Sequence, residues 1–144
     1  MVYKKVLISV DNSEISSKVA KYGLKLASQL GAEIAIVLVA DIEKANIDYE
    51  TGRVHQHQIN KLKQEATTTI DRIIQQFPDI TFESYIPEGI PSKEIANTAN
   101  NWKADIIVMG THGKTGLKRL LIGSTTENTL RSSNIPILIV PCRT

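Results

Sequence analysis

The sequence has 144 residues, 42% of them hydrophobic and 22% charged, with a formal net charge of +2 and one cysteine, Cys142. That length suits a single domain with a continuous core, the mild charge makes no case for nucleic acid, and one cysteine excludes an internal disulfide framework or a cysteine metal cluster, which fits a reducing, cytoplasmic setting. No stretch reaches the roughly 18 apolar residues of a membrane span, and the polar Asp11-Asn12-Ser13-Glu14 interrupts the first apolar run too early for a signal peptide.

Residues 6–10 are rich in β-branched side chains and read as a buried first strand, ended by Asp11 and Asn12. Asn12 or Ser13 is expected to cap the helix that follows. Its inner face is read from Ile15, Val19, Tyr22, Leu26 and Leu30, and Gly31 stops it. Residues 34–40 form a second, nearly continuous apolar run, as expected for a strand covered on both faces. Residues 41–53 lack a period and read as a loop. Ile59, Leu62, Ala66, Ile70, Ile73 and Phe77 mark a long amphipathic helix that Pro78 ends. Residues 80–86 alternate apolar and polar, which suits an edge strand. Gly89 and Pro91 open a helix with Ile95, Ala99 and Trp102 inward. Residues 105–109 are the fourth strand. Ser124, with Glu127 three residues on, reads as a capping box, Leu130 continues that helix's apolar side, and residues 135–140 form the last strand. The alternation of strands and helices predicts a three-layer α/β fold with a mostly parallel sheet and right-handed crossovers.

The stretch from Met109 to Thr125 carries the chemistry. Gly110, Gly113, Gly116 and Gly123 are read as positions where the backbone takes positive φ or approaches a ligand closely. Lys114, Lys118 and Arg119 are cationic, His112 can be, and residues 106–126 contain no carboxylate. A polyanion such as a phosphate chain suits this loop, with the amides of Thr125 and Thr126 at the helix start. In an open α/β sheet the ligand lies at the carboxyl ends of strands where their order reverses. If the first and fourth strands are neighbours, Asp11 and Gly110 face one crevice, and Asp11 can accept a hydrogen bond from a ribose hydroxyl or base.

Two familiar phosphate loops are excluded. A P-loop needs glycine where Val108 stands, and a dinucleotide fingerprint needs glycine after the first strand, where Asp11-Asn12-Ser13 has none. The Gly113-Lys114-Thr115-Gly116 match to a KH loop sits in the wrong element order, so nucleic acid is not expected. His55 and His57 read as a solvated helix start, since no further zinc ligands follow. Trp102 is read as core and Cys142 as a bystander.

The chain closely resembles the nucleotide-binding branch of the universal stress protein family. That branch carries glycine, two residues, glycine, nine residues, glycine, then serine or threonine. Gly110, Gly113, Gly123 and Ser124 match it in full after the fourth strand. The resemblance extends from Lys4-Lys5-Val6-Leu7-Ile8-Ser9-Val10-Asp11 through Gly89-Ile90-Pro91 to Asn134-Ile135-Pro136-Ile137-Leu138-Ile139-Val140. Ser9-Val10-Asp11 stands where many members carry Pro-Thr-Asp or Ala-Val-Asp. The resemblance implies one nucleotide-binding domain over residues 1–144, with a Rossmann-like, five-stranded parallel sheet in the order 3-2-1-4-5. It implies bound ATP. By position Ser9, Val10, Asp11 and Val39 hold the adenosine, while Met109, Gly110, Thr111, His112, Gly113, Lys114, Thr115, Gly123, Ser124 and Thr125 hold ribose and phosphates. Lys114 is the expected direct phosphate contact, with Lys118 and Arg119 shaping the field around it.

The family resemblance also implies a homodimer through the last strand, and the apolar Ile137–Val140 suits such edge pairing. The expected function is a cytoplasmic, ATP-binding stress-response protein whose nucleotide stabilises or switches the dimer, with Mg2+ or Mn2+ bound through the phosphates. The alternative is a slow ATP hydrolase or phosphotransferase at the same site. Its candidate general bases are His112 and Asp11, neither of them convincing. A flavin or AMP carrier on the same architecture is a third reading.

Overall fold

The computed structural model describes residues 2–45, 50–52, 55–111 and 122–142. In chain order the elements are β1 (Lys5–Ser9), α1 (Ser16–Leu30), β2 (Glu33–Val37), β3 (Ala40–Asp41), α2 (Gln56–Gln76), β4 (Glu83–Tyr85), β5 (Glu88–Gly89), α3 (Pro91–Trp102), β6 (Ile106–Gly110), α4 (Ser124–Ser132) and β7 (Ile137–Val140). The main sheet runs β4-β2-β1-β6-β7, and every pairing in it is parallel. This is the expected five-strand order. The two-residue β3 and β5 pair separately beside it.

Both sheet faces are covered, because the strand sequences are apolar at odd and even positions alike. Val6 and Ile8 of β1 and Ile34 and Ile36 of β2 pack with Val19, Leu24, Ile70 and Ile73 of α1 and α2. Leu7 of β1 and Ile107 of β6 pack on the other face with Ile95 and Ala99 of α3. Leu7 and Ile8 are 0% exposed, and each buried side chain of this size contributes about 1.5–3 kcal/mol. α4 lies beside α3. At the sheet edge, Ile80, Phe82 and Ile86 turn toward the α1/α2 face as the alternation predicts.

Four local expectations are corrected. The face that α1 buries is made of Ser16, Val19, Ala20, Gly23, Leu24 and Ala27, whereas Tyr22 and Leu30 are exposed. Small residues win because the helix lies close on β1: a Cβ on Gly23 would stand 2.6 Å from the Ile8 side chain. Neither Asn12 nor Ser13 caps α1, whose N-cap is Ile15 with no side-chain hydrogen bond. Asn12 Oδ1 instead accepts from Thr69 Oγ1 at 2.8 Å, tying this turn to α2. Ser124 and Glu127 form no capping box. Gly123 is the N-cap of α4 without a side-chain bond, and Glu127 pairs with Arg131 at 2.9 Å. Leu130 is exposed, and Thr126 and Thr129 are the residues α4 buries.

Candidate functional site

The strand order reverses between β1 and β6, so their carboxyl ends and the start of α4 diverge around a crevice. A cleft of about 310 Å³ opens there. Volumes of about 300–1,000 Å³ are usual for small-molecule sites. Ser9, Val10 and Asp11 line it from β1 and Val39 from the end of β2. Met109, Gly110 and Thr111 approach from β6, and Gly123, Ser124 and Thr125 from α4. Four further site expectations, His112, Gly113, Lys114 and Thr115, lie outside the described residues, as do Gly116, Lys118 and Arg119.

Asp11 shapes the floor of this cleft as well as facing it. Its Oδ1 accepts the Ser13 amide at 2.8 Å and also the Ser13 hydroxyl, while the Ser16 hydroxyl donates to the Asp11 carbonyl. The carboxylate therefore folds the turn that leads into α1, in the manner of an Asx turn.

On the opposite wall the two arms of the loop are joined directly. The Gly123 amide donates to the Thr111 carbonyl at 2.8 Å, and the Thr126 hydroxyl donates to the Gly110 carbonyl at 2.9 Å. The Thr111 amide reaches the Val140 carbonyl at 3.1 Å, and Thr111 Oγ1 accepts the Cys142 amide at 3.0 Å, so β7 is bound into the same corner. The first amide of α4 with an intrahelical acceptor is that of Glu127, which reaches Gly123. The amides of Ser124, Thr125 and Thr126 precede it, at the positive end of the helix.

Two of the expected positive-φ glycines do not take that conformation. Neither Gly110 nor Gly123 has positive φ; Gly123 is extended at φ −65°. A Cβ on Gly110 would lie 2.8 Å from Cys142 Sγ and 2.9 Å from Val19 Cγ2, so glycine lets β6 run against α1 and the chain after β7.

Sequence reasoning missed the rim formed by Asp41, Glu43 and Lys44, which follow β2 in a 3-10 turn, and the wall formed by Pro91 and Ile95. The strand-end rule that found Val39 also reaches that turn. It needed only the recognition that Ala40–Asp41 pairs with Glu88–Gly89 and so holds the turn over the crevice. Cys142 also lines the cleft, which the sequence reading treated as a bystander. Among the described residues, no group of three or more His, Cys, Asp or Glu side chains is arranged to hold a metal ion. No helix among them is long and apolar enough to cross a membrane.

The model of the universal stress protein family matches residues 2–141. The chain belongs to that family. Universal stress protein MJ0577 of Methanocaldococcus jannaschii is 35% identical over 156 residues, covering 97% of this chain and 96% of the relative. MJ0531 of the same organism is 32% identical over 141 residues, covering 96% and 82%. The solved structure of MJ0577 has a TM-score of 0.82 with 34% identity, over 100% of this chain and 99% of that one. A universal stress protein from Archaeoglobus fulgidus, solved in complex with dAMP, shares the fold at a TM-score of 0.63 and 17% identity, over 96% and 98% of the two chains.

Proposed function

We propose that this universal stress protein is a single nucleotide-binding domain that takes ATP in the cleft between β1, β6 and α4, and that the bound nucleotide stabilises or switches a homodimer in the cytoplasm. The observation that carries the reading is the start of α4. Three amides with no intrahelical acceptor, from Ser124, Thr125 and Thr126, stand across the crevice from the end of β1. A helix start of this kind favours phosphate oxygens through both hydrogen bonds and the helix dipole. Val10, Val39 and Ile95 offer apolar surface for a base, and the Asp11 carboxylate offers an acceptor for ribose hydroxyls. The residues present therefore fit an adenine nucleotide. The described rim carries Asp11, Asp41 and Glu43 against Lys44, so charge balance for a triphosphate rests on Lys114 and its neighbours, with Mg2+ or Mn2+ carried by the phosphates. The nucleotide complex of the Archaeoglobus fulgidus family member agrees with this reading.

Binding is favoured over turnover, because a hydrolase also needs a group that orients water, and Asp11 commits Oδ1 to the Ser13 turn, which leaves its other oxygen for the ribose. The homodimer reading is supported by β7, an edge strand whose Leu138 is 39% exposed. The test is to denature the purified protein, identify any released nucleotide, and titrate the emptied protein calorimetrically with ATP, ADP and AMP. ATP is expected to bind most tightly. No measurable ATP binding, with or without Mg2+ or Mn2+, sinks the reading.

A further inference from the structure

The two arms of the cleft have to be held at a fixed spacing if three amides are to meet phosphate oxygens together, and among the described residues two hydrogen bonds join the end of β6 directly to the start of α4. Gly123 N–H to the Thr111 carbonyl is one, at 2.8 Å, and it anchors only the cap of α4. The second comes from Thr126, in the first turn of α4, whose hydroxyl donates to the Gly110 carbonyl at 2.9 Å. Thr126 is 4% exposed and Thr111 3% exposed, so both bonds lie where water competes poorly. With both, the first turn is fixed in tilt and in distance. With the cap bond alone the first turn keeps its packing beside α3 but loses its direct tie to β6.

We propose that Thr126 is a positioning residue for the phosphate side of the site: its hydroxyl sets the attitude of the α4 amides toward the end of β6 and keeps the Gly110 carbonyl occupied. Occupying that carbonyl matters electrostatically. An acceptor without a donor in a cleft built for an anion presents negative potential to the phosphates and leaves a partly buried polar group unpaired. This inference rests on the nucleotide reading, and it assigns Thr126 a part that the glycine-rich motif does not include.

A purely structural role for Thr126 affects every ligand alike, whereas a role on the phosphate side separates a nucleotide from its nucleoside. Calorimetric titration of the full chain with ATP and with adenosine makes that distinction. Thr126→Val keeps the shape and removes the hydroxyl. It is expected to weaken ATP by about tenfold, equivalent to about 1.4 kcal/mol, with adenosine affinity unchanged. Thr126→Ser restores the hydroxyl and is expected to return ATP to within about twofold of the wild type. Equal weakening of ATP and adenosine, or no weakening of ATP, overturns the inference. Should the valine variant not fold, Thr126→Ser against Thr126→Ala makes the same comparison of hydroxyl kept with hydroxyl lost. A wild-type chain that binds neither ligand overturns the nucleotide reading and this inference with it. Normal wild-type binding with an unaffected Thr126→Val overturns the inference alone.

Discussion

At Gly110 the backbone of β6 passes so close to α1 that the missing side chain is itself a packing feature. Val19, whose Cγ2 would stand 2.9 Å from an added Cβ, is 4% exposed and belongs to the core, whereas Cys142 lies near the chain end and is half-buried. The cysteine can move aside and the valine cannot without shifting α1. Gly110→Ala is therefore expected to lower stability by about 1–3 kcal/mol, as overpacking does. Adding Val19→Ala is expected to recover part of that loss, giving non-additive melting temperatures in a double-mutant cycle. Additive losses from the two changes would show that the contact is not the cause. The sequence made Gly110 a site residue through the glycine-rich motif after the fourth strand, and Gly110 lines the cleft. The physical reason was illegible, because it depends on two residues about 90 and 30 positions away that only the tertiary fold brings together. Asp11 teaches the same lesson at shorter range. Its place at a strand end was readable, but its bonds to Ser13 and Ser16 depend on how α1 starts.

Helix ends were the least legible of the elements. α1 stops where Gly31 enters the left-handed region at φ 63°, as the sequence signal required. α3 ends in the same way without that signal, because Lys103 takes φ 63° at its C-cap while the Ala104 amide reaches back to Ala99 at 2.9 Å. A non-glycine residue there is strained. Lys103 is exposed, so its side chain contributes little that substitution removes. Lys103→Gly is expected to stabilise the chain by about 0.5–1 kcal/mol, the residual after glycine's extra unfolded-state entropy. For a chain of this size that raises the melting temperature by about 1–4 °C in calorimetry. An unchanged or lower melting temperature would mean that the Lys103 side chain contributes more than its exposure implies. The amphipathic faces were readable for α2, where Ile59, Ile70 and Ile73 are buried as expected. They misled for α1 and α4, where close approach to neighbouring elements selects Gly23, Ala27, Thr126 and Thr129 over the larger Tyr22 and Leu130.

For the whole molecule, the pattern of doubly apolar strands was enough to establish a covered parallel sheet, and the order of strands placed the cleft. Both edges of the sheet were legible too, residues 80–86 from their alternation and residues 137–140 from the family resemblance. β7 is one edge, and beside it Lys18, Tyr22, Leu138 and Pro141 form an open groove. On the proposed homodimer this edge is covered, and Leu138→Lys is expected to give a monomer by analytical ultracentrifugation with an unchanged circular dichroism spectrum, since lysine is well tolerated on a solvated edge strand. A dimer that persists at low micromolar concentration in that variant moves the interface elsewhere.

The bond from Gly123 to Thr111 has a further consequence for how this protein can vary. It closes the ends of the segment 112–122 at 2.8 Å, so the sheet and α4 are joined whatever that segment contains. Doubling the length of such a connection costs only about 0.6 kcal/mol in chain entropy, which is small against the roughly 5–15 kcal/mol that holds a domain of this kind together. A longer connection between Thr111 and Gly123 therefore costs the fold little in chain entropy. On the proposed nucleotide reading, the phosphate contacts can be retuned in that connection at small entropic cost to the scaffold.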